Sequence, residues 1–188
     1  MEASRPMGTS ALELVFEDAL GECHAAEVRR LLESCGDEFV PPLSTRTSTH
    51  QTDLHGLEGQ DTQPGGYFSE LGRQPFVLAL SEGRVVAFLS YIVGYPIECG
   101  GGCLLTTYVT TICADPEYRH RGIATALYRF LERRSSSGYL SVRTWSTNVA
   151  QMTLLRSLGY QELVRIHDDR GRGIDTVYYL KEPSGSAR

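Results

Sequence analysis

Cys113-Ala114-Asp115-Pro116-Glu117-Tyr118-Arg119-His120-Arg121-Gly122-Ile123-Ala124-Thr125-Ala126-Leu127-Tyr128 governs the reading of this chain. The β-branched run before it, residues 104–112, predicts a strand. Asp115-Pro116 ends that strand, because proline has no donor and keeps its predecessor out of the helical region. Beyond it, Ala124, Leu127, Tyr128 and Leu131 recur at i, i+3, i+4 and i+7, one apolar helical face. Arg133 and Arg134 close the helix where cations suit its dipole. The first turn is unusual, since it carries Arg119 and Arg121 where acids are favoured. A helix start offers unpaired N–H groups and partial positive charge. Gly122 and Ala124 leave that backbone open, so the turn is prepared for an external anion.

Length and composition bound the answer. A chain of 188 residues makes one domain able to bury a real core, with no repeat or linker to divide it. Its 41% hydrophobic and 22% charged residues are values of a soluble globular protein. The formal net charge of −5 argues against nucleic acid as a partner and suits a cationic or amine ligand. No apolar run reaches the roughly 18 residues of a membrane span, and residues 1–10 lack the apolar core of a signal peptide. Five cysteines, an odd number without close pairing, predict reduced thiols and a cytoplasmic location. Cys99-x-x-x-Cys103 and His50-x-x-Asp53-x-His55 lack further ligands, so no metal is predicted.

Residues 12–16 read as a strand or a helix start, and periodicity does not decide. Ala25, Val28, Leu32 and Cys35 share a face, predicting a helix over Glu22–Cys35 that stops at Gly36. Pro41-Pro42 stiffen the next segment, and residues 41–66 form a long polar loop. Tyr67, Phe68 and Leu71 predict a helical turn that docks its end. Residues 76–80 and 84–95 predict a hairpin turning at Ser81-Glu82-Gly83, with Pro96 and Gly100-Gly101-Gly102 punctuating the next connection. After the central helix come a strand at 139–145, an N-cap cluster Ser146-Thr147-Asn148, and a helix whose stripe is Val149, Met152 and Leu155. Gly159 ends it, and strands at 160–166 and 174–180 flank a tight turn. Residues 1–10 and 183–188 are expected to be loose tails.

The pattern Arg119-x-x-Gly122-x-Ala124, after a strand and Asp-Pro, resembles motif A of the GCN5-related N-acetyltransferases (GNAT). In that superfamily the loop holds the pyrophosphate of acetyl-coenzyme A. Asn148, Leu154, Gly159 and Tyr160 resemble its motif B, and the element order matches over residues 76–181. The resemblance implies an α/β (α+β) fold: a mixed, mostly antiparallel sheet of six to seven strands with helices on both faces. It implies that two parallel strands, ending at Ile112 and Trp145, splay apart. The backbone of Ile112, Cys113 and Ala114 would pair with the pantetheine arm. N–H groups of His120, Arg121, Gly122, Ile123, Ala124 and Thr125 would seat the pyrophosphate, with Arg119 and Arg121 adding charge. Asn148 would cap its helix and contact the cofactor.

The implied reaction moves an acetyl group from acetyl-CoA to an amine of a small molecule or peptide by direct attack. Two residues depart from the family pattern. Leu155 stands where a tyrosine acid is common, and Tyr108, eleven residues before Arg119, stands where some relatives carry a glutamate base. The candidate bases are therefore Tyr108 by position and Glu38 by chemistry. Asp37, Glu38 and Arg46, with Tyr91 from the hairpin, are the expected substrate contacts. Transfer of another acyl group or to a hydroxyl, and coenzyme A binding without turnover, are the alternatives. A homodimer is left open.

Overall fold

The computed structural model describes residues 12–52, 54, 65–135 and 138–183. Residues 76–114 alternate between two faces and give three antiparallel strands in succession: β2 (Phe76–Ser81), β3 (Arg84–Cys99) and β4 (Gly102–Ala114), following an edge strand β1 (Glu13–Glu17). Helices α1 (Glu22–Cys35) and α2 (Gly65–Leu71) fall between β1 and β2. The second half runs α3 (Ile123–Arg134), β5 (Leu140–Trp145), α4 (Val149–Ser157), β6 (Gln161–Ile166) and β7 (Thr176–Lys181).

The sheet has seven strands in the order β1-β2-β3-β4-β5-β7-β6. Only the β4–β5 pair is parallel. β2 is buried at every position, so it reads as an apolar run rather than an alternation. Val77 and Ala79 pack with Leu127, Leu131 and Leu155 on one face. Phe76 and Leu78 pack with Val28, Leu31 and Leu71 on the other. Helices therefore cover both faces, with α3 and α4 on one and α1 and α2 on the opposite side.

The ambiguous residues 12–16 resolve into strand, because β2 offers an edge to pair with. Pro96 does not end β3, which continues to Cys99 and folds back through Gly100 and Gly101, both at positive φ. A proline is tolerated there because β2 stops pairing at Ser90, leaving that part of β3 an edge. Cys99 and Cys103 lie exposed on this hairpin as free thiols. His50 hydrogen-bonds Glu70 at 3.0 Å, while Asp53 and His55 lie outside the described residues, as do 1–10, most of the 41–66 loop beyond Thr52, and 184–188.

Candidate active site

β4 and β5 share only Thr107↔Leu140, Tyr108↔Ser141 and Val109↔Val142. Beyond Val109, β4 keeps β3 as a neighbour to Ala87↔Ala114. Beyond Val142, β5 keeps β7 to Trp145↔Thr176. Each strand is held on its outer side and released on its inner one. The inner edges at 110–114 and 143–145 bear backbone donors and acceptors with no strand opposite, an invitation to an extended ligand. Between them lies a cleft of about 580 Å³, closed at one end by the start of α3 and along one side by α4.

The cleft's α3 end is built by backbone geometry. Asp115 accepts a hydrogen bond from the Glu117 N–H at 3.1 Å, so the chain turns at once after β4. His120 and Gly122 both adopt left-handed backbone, at φ 60 and 77. Such alternation points successive N–H groups to one side. The first helical bond runs from Ala126 N–H to the Gly122 carbonyl at 3.0 Å. The N–H groups of Ile123, Ala124 and Thr125 have no backbone acceptor among the described residues. A Cβ at Gly122 would meet nothing within 4 Å, so the backbone angle rather than crowding requires glycine. The open space over it adjoins three free donors at a helix start, a fit for a phosphate or diphosphate.

Side chains around this end behave less simply. Arg119 lines the cleft but turns toward α1: its Nη atoms grip both Glu38 oxygens at 2.9 and 2.8 Å, and its Nε reaches the Ala114 carbonyl at 3.1 Å. Glu38 raises the Arg119 pKa further. That arginine is occupied as a clamp between Glu38, just past α1, and the turn that opens α3. Arg121 is exposed and donates to the Glu117 carbonyl at 2.9 Å over the Tyr118 ring. Asn148 caps α4 by accepting from Gln151 N–H at 3.2 Å, and both residues line the cleft. Gln151 also donates to the Tyr128 hydroxyl at 2.6 Å, fastening α4 to α3. Ile112, Cys113 and Ala114 line the cleft along the β4 edge.

The expected catalytic and substrate residues scatter. Glu38 lines the cleft, the only carboxylate there among the described residues. Tyr108 is buried at 1% exposure, stacked on Tyr95 at 4.4 Å, and burial pushes its pKa up, so it stays a neutral phenol and does not accept a proton. Tyr91 is buried in the α3-side core, away from the cleft, because it follows Ala87 and Leu89 in regular alternation on the face that α3 covers. Asp37 lines a separate, smaller hollow with Arg29 and Phe68. Arg46 is buried, its guanidinium spent on the Val40 and Pro41 carbonyls. Leu155 faces the core of α4, and the cleft-facing neighbour is Leu154. At the β4 end, the Cys35 thiol is drawn down to about 6 by a hydrogen bond from Cys113, opposed by burial and helped by Ser34 and Arg119.

A family model described as "Acetyltransferase (GNAT) family" matches residues 29–160. The chain belongs to this family. Among solved structures, the GNAT fold here resembles yncA from Salmonella typhimurium, solved with its cofactor acetyl-CoA, at 14% identity over 93% of this chain and 96% of that one, TM-score 0.61. It resembles the ribosomal-protein-S18-alanine N-acetyltransferase of Escherichia coli at 16% identity, 94% and 97% coverage, TM-score 0.60. It also resembles Arabidopsis thaliana NAA60, solved with a bisubstrate analogue, at 16% identity, 93% and 100% coverage, TM-score 0.61. No curated protein matches the sequence significantly.

Several residues of this GNAT cleft were not among the site candidates read from the sequence. Phe39, Arg143 and Gln151 line it, with Trp145 and Leu154, which the sequence marked only as a strand end and a motif position. Arg143 did carry a signal: a charged residue in the middle of an otherwise buried strand is costly unless it serves something.

Proposed function

We propose that this protein transfers an acetyl group from acetyl-CoA to an amine. The observation that carries the reading is the continuity of one cleft from the unshared β4 edge to the left-handed Gly122 cap of α3. Acetyl-CoA supplies the activated thioester and a diphosphate. The Ile123, Ala124 and Thr125 N–H groups hold the diphosphate, with His120, Arg121 and Gly122 shaping the loop. The edge at Ile112, Cys113 and Ala114 pairs with the pantetheine arm, and Asn148 closes the α4 side.

The neutral amine attacks the thioester carbonyl. A C–N bond forms, the C–S bond breaks, the amine gives up a proton and the departing thiolate takes one. An N–H on the β4 edge polarises the carbonyl. Glu38 receives the amine's proton through water, and Arg119 fixes the orientation of that carboxylate. The free cysteines suit a reducing cytoplasm.

Thermal melting with and without acetyl-CoA tests this on wild type, Gly122→Asn and Gly122→Asp. Asparagine tolerates left-handed backbone about as aspartate does, so the pair isolates charge from strain. Ligand at about 100 times its Kd adds roughly 2.7 kcal/mol. Wild type and Gly122→Asn should gain stability, and Gly122→Asp should need about tenfold more ligand or worse. Folded wild type that is unmoved by millimolar acetyl-CoA overturns the reading.

A further inference from the structure

The face of the sheet opposite α3 and α4 holds a buried set of cations. Arg143 is one residue past Val142, at the point where β4 and β5 part. It sits among Tyr95, Tyr108 and its cross-strand neighbour Tyr178, to which it hydrogen-bonds. Its Nη2 is buried with no hydrogen-bond partner among the described residues, yet the side chain lines the cleft. Arg46 and Arg170, exposed by only 5% and 4%, converge behind it on one atom, the Val40 carbonyl oxygen. Arg46 lies over Phe39 and Arg170 over Trp145, and those two rings, 5.6 Å apart, line the cleft.

Compensation is thin. Asp169 is the one carboxylate bonded into this group among the described residues, through Thr176, which also accepts from Arg170 Nε at 2.8 Å. Carbonyls and phenols satisfy donors without cancelling charge. Burial, and then the neighbouring arginines, draw Arg170 down to about 9; burial draws Arg46 to about 10, with Arg143 adding to the effect. A guanidinium keeps its proton at neutral pH. Arg46 and Arg170 are buried, Arg143 is half-buried with the phenols of Tyr108, Tyr178 and Tyr95 around it, and one carboxylate faces the three, so the group carries an excess of positive charge that an incoming anion offsets. The chain as a whole carries −5, so this local excess runs against the global balance.

We propose that Arg143, backed by Arg46 and Arg170, seats a carboxylate of the acceptor, and that the acceptor is a small amine bearing a carboxylate, such as an α-amino acid. The planar fork of a guanidinium matches the two oxygens of a carboxylate. Seated on Arg143 at the parting of the strands, such an acceptor places its amine at the mouth of the thioester cleft. This inference rests on the acetyl-transfer reading above.

The experiment compares matched acceptors by coenzyme A thiol release: phenylalanine against phenylalaninamide and phenethylamine, and β-alanine against O-phosphoethanolamine. In parallel, N-acetylphenylalanine and its amide are compared as stabilisers in thermal melting with coenzyme A present. Carboxylates should exceed their amide partners in kcat/KM by about tenfold or more. The ratio should fall to near one in Arg143→Gln and recover partly in Arg143→Lys. Equal or better use of amides in wild type overturns the proposal, as does a ratio that survives Arg143→Gln. Preference for the phosphate-bearing amine moves the seat to phosphate and also overturns it. If no acceptor turns over, carboxylate-dependent stabilisation by the acetylated product supports the seat, and its absence sinks it. The acetyl-CoA melting shift is independent of all these arms, so failure of the seat is distinguishable from failure of acetyl transfer. Should Arg143→Gln not fold, the wild-type ratios still decide.

Discussion

The two ends of the cleft are built on opposite principles. The α3 end is backbone: consecutive residues, left-handed angles at His120 and Gly122, and N–H groups left over because a helix must start somewhere. Its two arginines are turned to a clamp and a surface bond, so side-chain charge is the lesser part. The β5 end is side chain: Arg46, Arg143 and Arg170 come from three distant segments and meet among aromatic rings. The first end is inexpensive, because its donors face an open cleft. The second holds Arg46 and Arg170 at a cost in burial, which the proposed carboxylate would offset.

That contrast can be broken most forcefully at Arg143. If its charge serves binding and opposes folding, Arg143→Met should melt at the same temperature as ligand-free wild type or higher, by up to about 1–4 kcal/mol. For a chain of this length each kcal/mol is roughly 2–4 °C. A fall of several degrees would make Arg143 a structural member and remove the difference between the two ends.

A smaller effect sharpens the boundary of the α3 end. Asn148→Ala removes the α4 cap and should cost about 1 kcal/mol of stability, read as a lower melting temperature. If the acetyl-CoA shift is unchanged in that variant, Asn148 is a cap alone. If the shift shrinks as well, the anion-binding end extends onto α4.

A pH dependence tests the junction of the two regions at Cys35, where α1 meets β4. Its folded pKa of about 6 lies below the ordinary thiol value of 9.0. A depressed acid contributes stability that is complete above the unfolded value and is lost as pH falls through the folded one. Wild type should therefore gain melting temperature relative to Cys35→Ser as pH rises from about 6 to 9. Parallel curves across that window would show that the thiol is not ionised there.

Legibility followed the same divide. The helices Glu22–Cys35 and α3, the β2–β3 hairpin and the Gly122 turn were readable, because periodicity and turn chemistry act over a few neighbouring residues. The burial of Tyr91 against α3 and the stacking of Tyr108 on Tyr95 were not readable, because which helix or ring covers a strand face is set by residues far away in the chain. Arg46 was read as a substrate contact, whereas its guanidinium is buried against the Val40 and Pro41 carbonyls, a fate that no local pattern announces.

By itself the sequence determined the strand–turn–helix at 104–134, hence the family and the turn proposed to seat an anion, since these depend on short-range backbone preferences. Only the tertiary structure decided where β4 and β5 part, which partners each arginine takes, and that three of them gather. Burial and charge compensation depend on residues far apart in the chain, and no window along the sequence contains them together.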